Sequence, residues 1–181
     1  MRRSRAAAGT AAFFVLAPGA AAALVPWWLT GWHGGQPPFA APVRVGGALL
    51  LAAGSAVLVG AFLRFVVEGA GTPAPVAPPD RLVAGGLYRY VRNPMYLAVT
   101  ACIVGQSLVL SSPVLLVYAA AFLAVCAGFV RWYEEPVLRR RFGAQYDAYR
   151  RGVPGWLPRL RPWRPEDVDN EPGSARRRWR K

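Results

Sequence analysis

The sequence predicts an all-α, polytopic membrane protein with about four transmembrane helices, and two observations lead to this prediction. Hydrophobic residues make up 54% of the 181-residue chain, whereas charged residues make up only 17%. The charges are concentrated in a few places, and four apolar stretches between them approach the roughly 20 residues that a helix needs to cross a bilayer core of about 30 Å. These stretches lie near residues 7–29, 44–66, 95–111 and 113–131.

The first stretch contains the segment AAFFVLAPGAAAALVPWWL, which is rich in alanine and carries Pro18 and Pro26. Prolines kink a helix, although a bilayer tolerates them. An alternative is a signal peptide whose basic start is Arg2, Arg3 and Arg5. The length of the apolar run and the clear spans that follow it favour a transmembrane helix.

The second stretch is followed by a loop, and the third and fourth form a helical hairpin. Prolines and glycines in EGAGTPAPVAPPDRLVAGG forbid a continuous helix in the loop. The hairpin turns at the Ser-Ser-Pro sequence of residues 111–113. Pro94 lies about 18 residues before this turn and Val130 about 18 after it, so at a rise of ~1.5 Å per residue both reach the same depth. We therefore expect the residues around Pro94 to be spatial neighbours of Glu134 and Glu135.

Basic residues predict the orientation of the chain. In the four-span arrangement, all of the 22 lysines and arginines except Arg44 fall on one side of the membrane. The positive-inside rule then places both termini in the cytoplasm. Lysine occurs only at position 181, which is typical of a GC-rich bacterial genome and points to a bacterial plasma membrane.

The chain divides into an integral-membrane domain at residues 1–161 and a basic cytoplasmic tail at 162–181 that is predicted to be disordered. The terminal ARRRWRK is interpreted as a topology determinant and an anchor for anionic lipid, not as a nucleic-acid contact. No metal site is predicted, because Cys102 and Cys126 fall within spans and His33 has no partner ligand nearby in the sequence.

The segment GLYRYVRNPMYLA, residues 86–98, carries the first candidate site residues. Asn93 suits the N-cap of a helix and Pro94 its first position. The free N–H groups that follow form an anion site at the inner membrane surface, and Arg89 and Arg92 add positive charge. The alternative is that these arginines only end the span and bind lipid phosphates.

Glu134 and Glu135 supply the opposite charge at the same depth. Membrane-interface acids commonly mark functional sites, although ion pairs of Glu135 with Arg139 or Arg131 offer a simpler explanation. Aromatic faces attract cations, and the surrounding tyrosines are Tyr88, Tyr90, Tyr96, Tyr133, Tyr146 and Tyr149. An anion site, a carboxylate and aromatic rings together fit S-adenosylmethionine, which has a carboxylate, an ammonium and a sulfonium group.

These motifs also resemble a known family. GLYRYVRNPMYLA, the Gly-Gln of IVGQS and WYEEPVLRRRFGAQYDAYRRGVPGWLPRL are similar to the isoprenylcysteine carboxyl methyltransferase family and its phospholipid methyltransferase relatives, over roughly residues 82–160. The family's Arg-His-Pro-x-Tyr motif matches Arg92, Asn93, Pro94 and Tyr96, and its Glu-Glu pair matches Glu134 and Glu135. Its Gly-x-x-Tyr-x-x-Tyr motif matches Gly143, Tyr146 and Tyr149.

The resemblance implies an integral-membrane methyltransferase whose S-adenosylmethionine pocket is capped by the segment after the hairpin. The helix start with Arg92 would hold the methionyl carboxylate, Glu134 or Glu135 the ammonium, and Tyr96, Tyr146 and Tyr149 the adenosine or sulfonium. Asn93 replaces the family's histidine and removes a titratable imidazole, so it is assigned to binding. No general base is identified. The expected cofactor-binding residues are Tyr88, Arg92, Asn93, Pro94, Met95, Tyr96, Glu134, Glu135, Tyr146 and Tyr149.

The acceptor stays open among an isoprenoid or lipid carboxylate, a lipid phenol and a phospholipid amine, with O-methylation favoured. A rival interpretation is a non-catalytic membrane scaffold whose basic tail binds lipid or a partner. A transporter or channel subunit is disfavoured, because such proteins need ionisable residues in mid-membrane and none lies between residues 95 and 130. The sequence does not determine the oligomeric state.

Overall fold

The computed structural model describes residues 17–35, 38–68, 82 and 84–164, with side chains up to residue 61 in the second range. All regular secondary structure in these residues is helical, which confirms the all-α prediction. The elements are a π-helical turn (Ala20–Leu24), α1 (Val25–Thr30), α2 (Ala41–Glu68), a 3₁₀ turn (Gly86–Arg89), α3 (Pro94–Leu110), α4 (Pro113–Phe129), a second π-helical turn (Val130–Glu134), α5 (Glu135–Phe142) and α6 (Ala144–Gly152). Residues 7–16 of the first predicted span lie outside the described part.

Two helical stretches are long and apolar enough to cross a membrane, Ala41–Ala61 and Pro113–Phe142, and α3 is a shorter apolar helix. Their apolar side chains point outward, as at Leu49, Val117 and Val125, which are 68%, 70% and 71% exposed. Only 11% of the window in Ala41–Ala61 is buried inside the protein. A soluble protein would bury such a helix, so this pattern is that of an integral membrane protein.

Helix α3 packs against α2 at glycines, where the two backbones come close. A Cβ atom on Gly105 would lie 2.7 Å from the backbone nitrogen of Leu51 and 2.8 Å from the carbonyl oxygen of Gly47. A Cβ on Gly54 would lie 3.0 Å from the carbonyl oxygen of Ala98. Small residues at such contacts are how membrane helices gain van der Waals packing.

The predicted hairpin turn is confirmed at residues 111–113. Ser111 ends α3 in the left-handed conformation with φ of +53°, Ser112 precedes α4, and Pro113 is its first residue. The buried core between the two helices consists of Val99, Ile103, Leu115 and Ala119.

Each π-helical turn ends two residues before a proline, Pro26 or Pro136. Val25 donates its N–H to the carbonyl of Ala20, five residues earlier, and Pro26 follows without an N–H. Side chains bind two carbonyls of this turn, since the Tyr118 hydroxyl donates to Ala21 at 3.0 Å and Gln106 Nε2 donates to Ala22 at 2.6 Å. The N-terminal helix is thereby fixed to the hairpin.

After α6 the chain turns back toward the start of α3 without further helix. A second buried cluster forms there from Tyr146, Tyr149, Val153 and Trp163. Trp163 is 5% exposed, so the packed part of the chain extends beyond the predicted domain boundary at residue 161. Residues 165–181 of the predicted tail lie outside the described part.

Candidate active site

The two motifs that the hairpin was predicted to bring together are in direct contact. Arg92 Nη1 lies 2.7 Å from Glu135 Oε1, although the two residues are 43 positions apart. Their side chains are 14% and 11% exposed. The equal lengths of α3 and α4 on either side of the turn place both motifs at one end of the hairpin, as predicted.

Arg92 connects the hairpin to the segment after α6. Its Nε donates to the Val153 carbonyl at 3.0 Å, and its backbone N–H donates to the Pro154 carbonyl at 2.9 Å. Nη1 also donates to the Tyr146 hydroxyl at 3.2 Å. Charge-assisted bonds of this kind are stronger than neutral ones, so Arg92 holds three parts of the chain in place.

Glu135 is surrounded by arginines. Besides Arg92, the guanidinium groups of Arg150 and Arg131 lie 3.3 Å and 3.7 Å from Oε2. The expected contact with Arg131 is therefore confirmed. The expected contact with Arg139 is wrong, because Nε of that arginine lies 2.8 Å from Asp147 of α6.

Glu134 has a different environment. Its Oε2 accepts a long hydrogen bond from the Tyr96 hydroxyl at 3.4 Å, and within the described residues it has no arginine at ion-pair distance. The Tyr96 ring in turn packs against Trp156, with centroids 6.3 Å apart. A half-buried carboxylate beside two aromatic rings is an environment that attracts a cation.

The start of α3 is where the sequence predicted it, but its cap differs. Asn93 occupies the N-cap position and Pro94 the first helical position, yet the Asn93 side chain makes no capping hydrogen bond. Its amide Nδ2 donates instead to the Gly155 carbonyl at 3.1 Å, because the segment after α6 passes beside it. The N–H groups of Met95 and Tyr96, in the first turn, are thus not covered by a cap side chain.

The tyrosines do not form a single ring around the site. Tyr146 and Tyr149 are buried in the second cluster, and the Tyr149 hydroxyl donates to the Tyr88 carbonyl at 2.7 Å. Burial raises the pKa of Tyr146 and of Tyr149, and burial followed by the charge of Glu134 raises the pKa of Tyr88. These phenols stay protonated at neutral pH. Tyr133 stacks on Phe129 and is 46% exposed.

Two contributions to the site were missed in the sequence. Trp156 and Arg150 were not predicted to take part, although both lie in the segment that resembles the methyltransferase family. The available signal for Trp156 was its place directly after Pro154-Gly155. The ion pair between Arg150 and Glu135 joins α6 to α5 and depends on how these helices fold back on each other.

Residues 43–145 match the family model described as phospholipid methyltransferase, and this range is more than half of the chain. The chain belongs to the phospholipid methyltransferase family. The matched range contains both Arg92–Tyr96 and the Glu134-Glu135 pair, so the resemblance noted in the sequence is confirmed. Comparison with curated proteins and with solved structures gives no significant match.

Phospholipid methyltransferases are membrane enzymes that use S-adenosylmethionine, and so this protein is an S-adenosylmethionine-dependent membrane methyltransferase acting on lipid-like acceptors. The side chains present fit this cofactor. Glu134 offers a carboxylate without an arginine partner in the described residues, Tyr96 and Trp156 offer aromatic faces, and the start of α3 offers uncapped N–H groups. These are complementary to an ammonium, a sulfonium and a carboxylate.

Proposed function

We propose that this phospholipid methyltransferase transfers the methyl group of S-adenosylmethionine to the carboxylate of an apolar lipid or isoprenoid. The acceptor reaches the site sideways from the cytoplasmic leaflet. The observation that carries the proposal is the half-buried Glu134 beside Tyr96 and Trp156, at the end of the apolar hairpin. This position is accessible to a polar cofactor from the cytoplasm and to an apolar acceptor from the bilayer.

The proposed roles divide the predicted residues into two groups. Asn93, Pro94 and Met95 at the start of α3 take the methionyl carboxylate, Glu134 takes the ammonium, and Tyr96 with Trp156 faces the sulfonium or adenosine. Arg92, Glu135, Tyr146, Tyr149 and Tyr88 hold the surrounding chain segments in position. Their hydrogen bonds and ion pairs with one another support this division.

A carboxylate acceptor is favoured because Glu134, the carboxylate without an arginine partner in the described residues, is already assigned to the ammonium group of the cofactor. The raised pKa values of Tyr88, Tyr146 and Tyr149 keep these phenols protonated, and Glu135 is engaged by three arginines. A carboxylate is already an anion at neutral pH and needs no base. When bound, S-adenosylmethionine supplies an electrophilic methyl group. The protein then contributes mainly by holding the nucleophile in line, which can supply ~7 to 11 kcal/mol.

N-methylation of a phospholipid amine is the second candidate, and the match to the phospholipid methyltransferase family favours it. An amine must lose its proton before it attacks. Glu134 would have to accept that proton in addition to binding the ammonium of the cofactor, because Glu135 is engaged by three arginines.

We also propose that the chain crosses a bacterial plasma membrane four times with both termini in the cytoplasm. Arg44 is the one basic residue assigned to the outer side, and its Nε donates to the Val109 carbonyl next to the hairpin turn. The arginines around Glu135 lie at the opposite end of the hairpin. This separation supports an inner position for the site.

Tritiated-methyl transfer into lipid tests the function. Membranes containing the wild type, Glu134→Gln or Asp147→Asn at equal expression are incubated with methyl-tritiated S-adenosylmethionine, and their lipid extracts are counted. Asp147 is a matched control, since its carboxylate is paired with Arg139 and has no assigned contact with the cofactor. We expect label in the wild type and in Asp147→Asn, and loss of label in Glu134→Gln.

Mild alkali then identifies the product. A methyl ester releases its label as volatile methanol, whereas a methylated amine retains it. Retention would overturn the carboxylate proposal and leave a methylated amine or the methyl ether of a lipid phenol. Absence of transfer by folded wild-type protein into every lipid fraction, with no binding of S-adenosylmethionine, would favour the non-catalytic scaffold.

A further inference from the structure

The segment at residues 153–163 is held rigidly although it contains no helix. Backbone N–H groups of Arg159 and Trp163 donate to the carbonyls of Tyr90 and Arg89 at 3.0 Å and 2.9 Å. The Arg92 N–H donates back to Pro154 at 2.9 Å. Prolines at positions 154, 158 and 162 restrict the backbone further. The conformation of this segment is therefore fixed by the chain just before α3.

Two leucines on this rigid segment point away from the protein. Leu157 is 79% exposed and Leu160 is 99% exposed, whereas Val153 and Trp163 of the same segment are buried. Leaving a leucine in water forgoes the free energy that its burial would provide. Because the backbone is fixed, these side chains cannot fold inward, and an apolar environment outside the protein would stabilise this arrangement.

The position of the segment identifies that environment. It is hydrogen-bonded to residues 89–93, immediately before Pro94 begins the apolar helix α3. Trp156 contacts Tyr96 in the first turn of the same helix. Leu157 and Leu160 therefore lie near the boundary of the hydrocarbon layer. Arg161, next to Leu160 in the chain, is exposed and forms no ion pair within the described residues, so it is available to anionic groups.

We propose that residues 153–163 insert into the interfacial layer of an anionic leaflet. Leu157 and Leu160 enter the acyl region, and Arg161 binds lipid phosphates. Trp156 is adjacent to Leu157, so this contact opens the Tyr96 and Glu134 region toward lipid and guides the acceptor to it. The guiding role rests on the proposed function, whereas the membrane contact does not.

Fluorescence quenching in lipid nanodiscs tests the contact without any catalysis. Leu157→Cys, Leu160→Cys and Arg140→Cys are labelled with an environment-sensitive nitrobenzoxadiazole dye; the labelled wild type corrects for the buried Cys102 and Cys126. Arg140 is a matched control, since it is exposed on α5. We expect lipids brominated on their acyl chains to quench the dye at 157 and 160 but not at 140, and aqueous iodide to show the reverse.

Iodide quenching at 157 and 160 as strong as at 140 would overturn the proposal. Quenching that depends on protein density instead of bromination would assign the surface to a second copy of the chain. Nanodiscs of phosphatidylcholine, with and without phosphatidylglycerol, test the charge requirement. Equal quenching by brominated lipid in the two kinds of nanodisc would show that the contact does not require anionic lipid.

The guiding role has a kinetic test. We expect Leu157→Gln with Leu160→Gln to raise the KM for the lipid acceptor about tenfold while the Kd for S-adenosylmethionine stays at the wild-type value. Phenylalanine at both positions should restore the KM. An unchanged KM would overturn the guiding role. A protein without methyl transfer would refute the proposed function and leave the quenching result intact.

Discussion

Glu134 and Glu135 are adjacent in the chain but have different partners. Glu135 is neutralised by Arg92, Arg131 and Arg150, whereas Glu134 contacts the Tyr96 hydroxyl. A carboxylate already paired with three guanidinium groups has little attraction left for an ammonium group. The two residues are therefore expected to serve different purposes, one in ligand binding and one in holding the site together.

Exchanging each carboxylate for an amide separates these purposes. Glu134→Gln should weaken S-adenosylmethionine binding by about 10- to 100-fold, because one charge-assisted contact is worth about 1.5 to 3 kcal/mol. Its thermal stability should be unchanged. Glu135→Gln should lower the melting temperature more than the affinity, because three arginines lose their counter-charge. Calorimetric titration measures the affinity for S-adenosylmethionine, and thermal unfolding in detergent measures the melting temperature. A larger affinity loss in folded Glu135→Gln than in Glu134→Gln would reverse the assignment.

Arg92 is the second residue for which a stability effect is expected. Removing one partner of a buried ion pair costs about 3 to 5 kcal/mol, and the lower end applies here because Arg150 and Arg131 remain beside Glu135. Arg92→Ala should therefore lower the unfolding free energy by about 3 kcal/mol. Arg140→Ala, an exposed arginine on α5, should change it by less than about 0.5 kcal/mol. Equal unfolding curves for the two variants would contradict the holding role of Arg92.

The π-helical turn between α4 and α5 determines how the glutamate pair is presented. Glu135 donates its N–H to the Val130 carbonyl, five residues earlier, and Pro136 has no N–H to offer to the carbonyl of Trp132. The extra residue in the turn rotates everything after it relative to a regular α-helix, in which each residue advances by about 100°. Pro136 thus helps to fix the directions of both carboxylates.

Replacing each of the two prolines that follow π-helical turns tests this role. Pro136→Ala restores an N–H and allows a regular α-helix, so we expect weaker S-adenosylmethionine binding without loss of stability, since alanine is the better helix former. Pro26→Ala makes the same local change near Ala21 and Ala22, away from the site. Its affinity should equal that of the wild type. Equal affinities for both variants would show that Pro136 does not position the pair.

Close contact between α2 and α3 holds the apolar part of the protein together. Gly47, Gly54 and Gly105 allow the two backbones to approach within van der Waals distance. Lipid tails are as apolar as the helices, so packing of this kind, and not the hydrophobic effect, stabilises helix association in a membrane. The Gly-Gln pair of the IVGQS segment now has a structural explanation, because Gly105 contacts α2 and Gln106 binds the Ala22 carbonyl.

Alanine at Gly105 should disrupt this contact. Its Cβ would meet backbone atoms of Leu51 and Gly47, which cannot move as a side chain does, and overpacking of this kind costs about 1 to 3 kcal/mol. Gly60→Ala is the matched control, since its Cβ would have nothing within 4 Å, and it should gain up to about 1 kcal/mol in helix propensity. Thermal unfolding in detergent compares the two. If Gly105→Ala unfolds no earlier than Gly60→Ala, the contact is looser than described.

The sequence by itself determined the all-helical architecture with apolar helices and the contact between the two motifs of the candidate site. Hydropathy depends on composition alone, and it located the apolar helices; the Ser111-Ser112-Pro113 turn and Pro94 located their ends. Two helices of equal length on either side of one turn must bring their far ends together. This geometric constraint was enough to predict that Arg92 and Glu135 are neighbours.

Only the tertiary structure decided which partners the site residues have. The segment after α6 captures the Asn93 amide and the Arg92 guanidinium, and it supplies Trp156 to Tyr96. Arg150 reaches Glu135 from α6, and so the two neighbouring glutamates differ in charge environment. Hydrogen bonds and ion pairs between distant residues depend on the exact path of the chain through loops and π-helical turns. Local sequence patterns do not encode that path, and for this reason the separate environments of Glu134 and Glu135 emerge only from the fold.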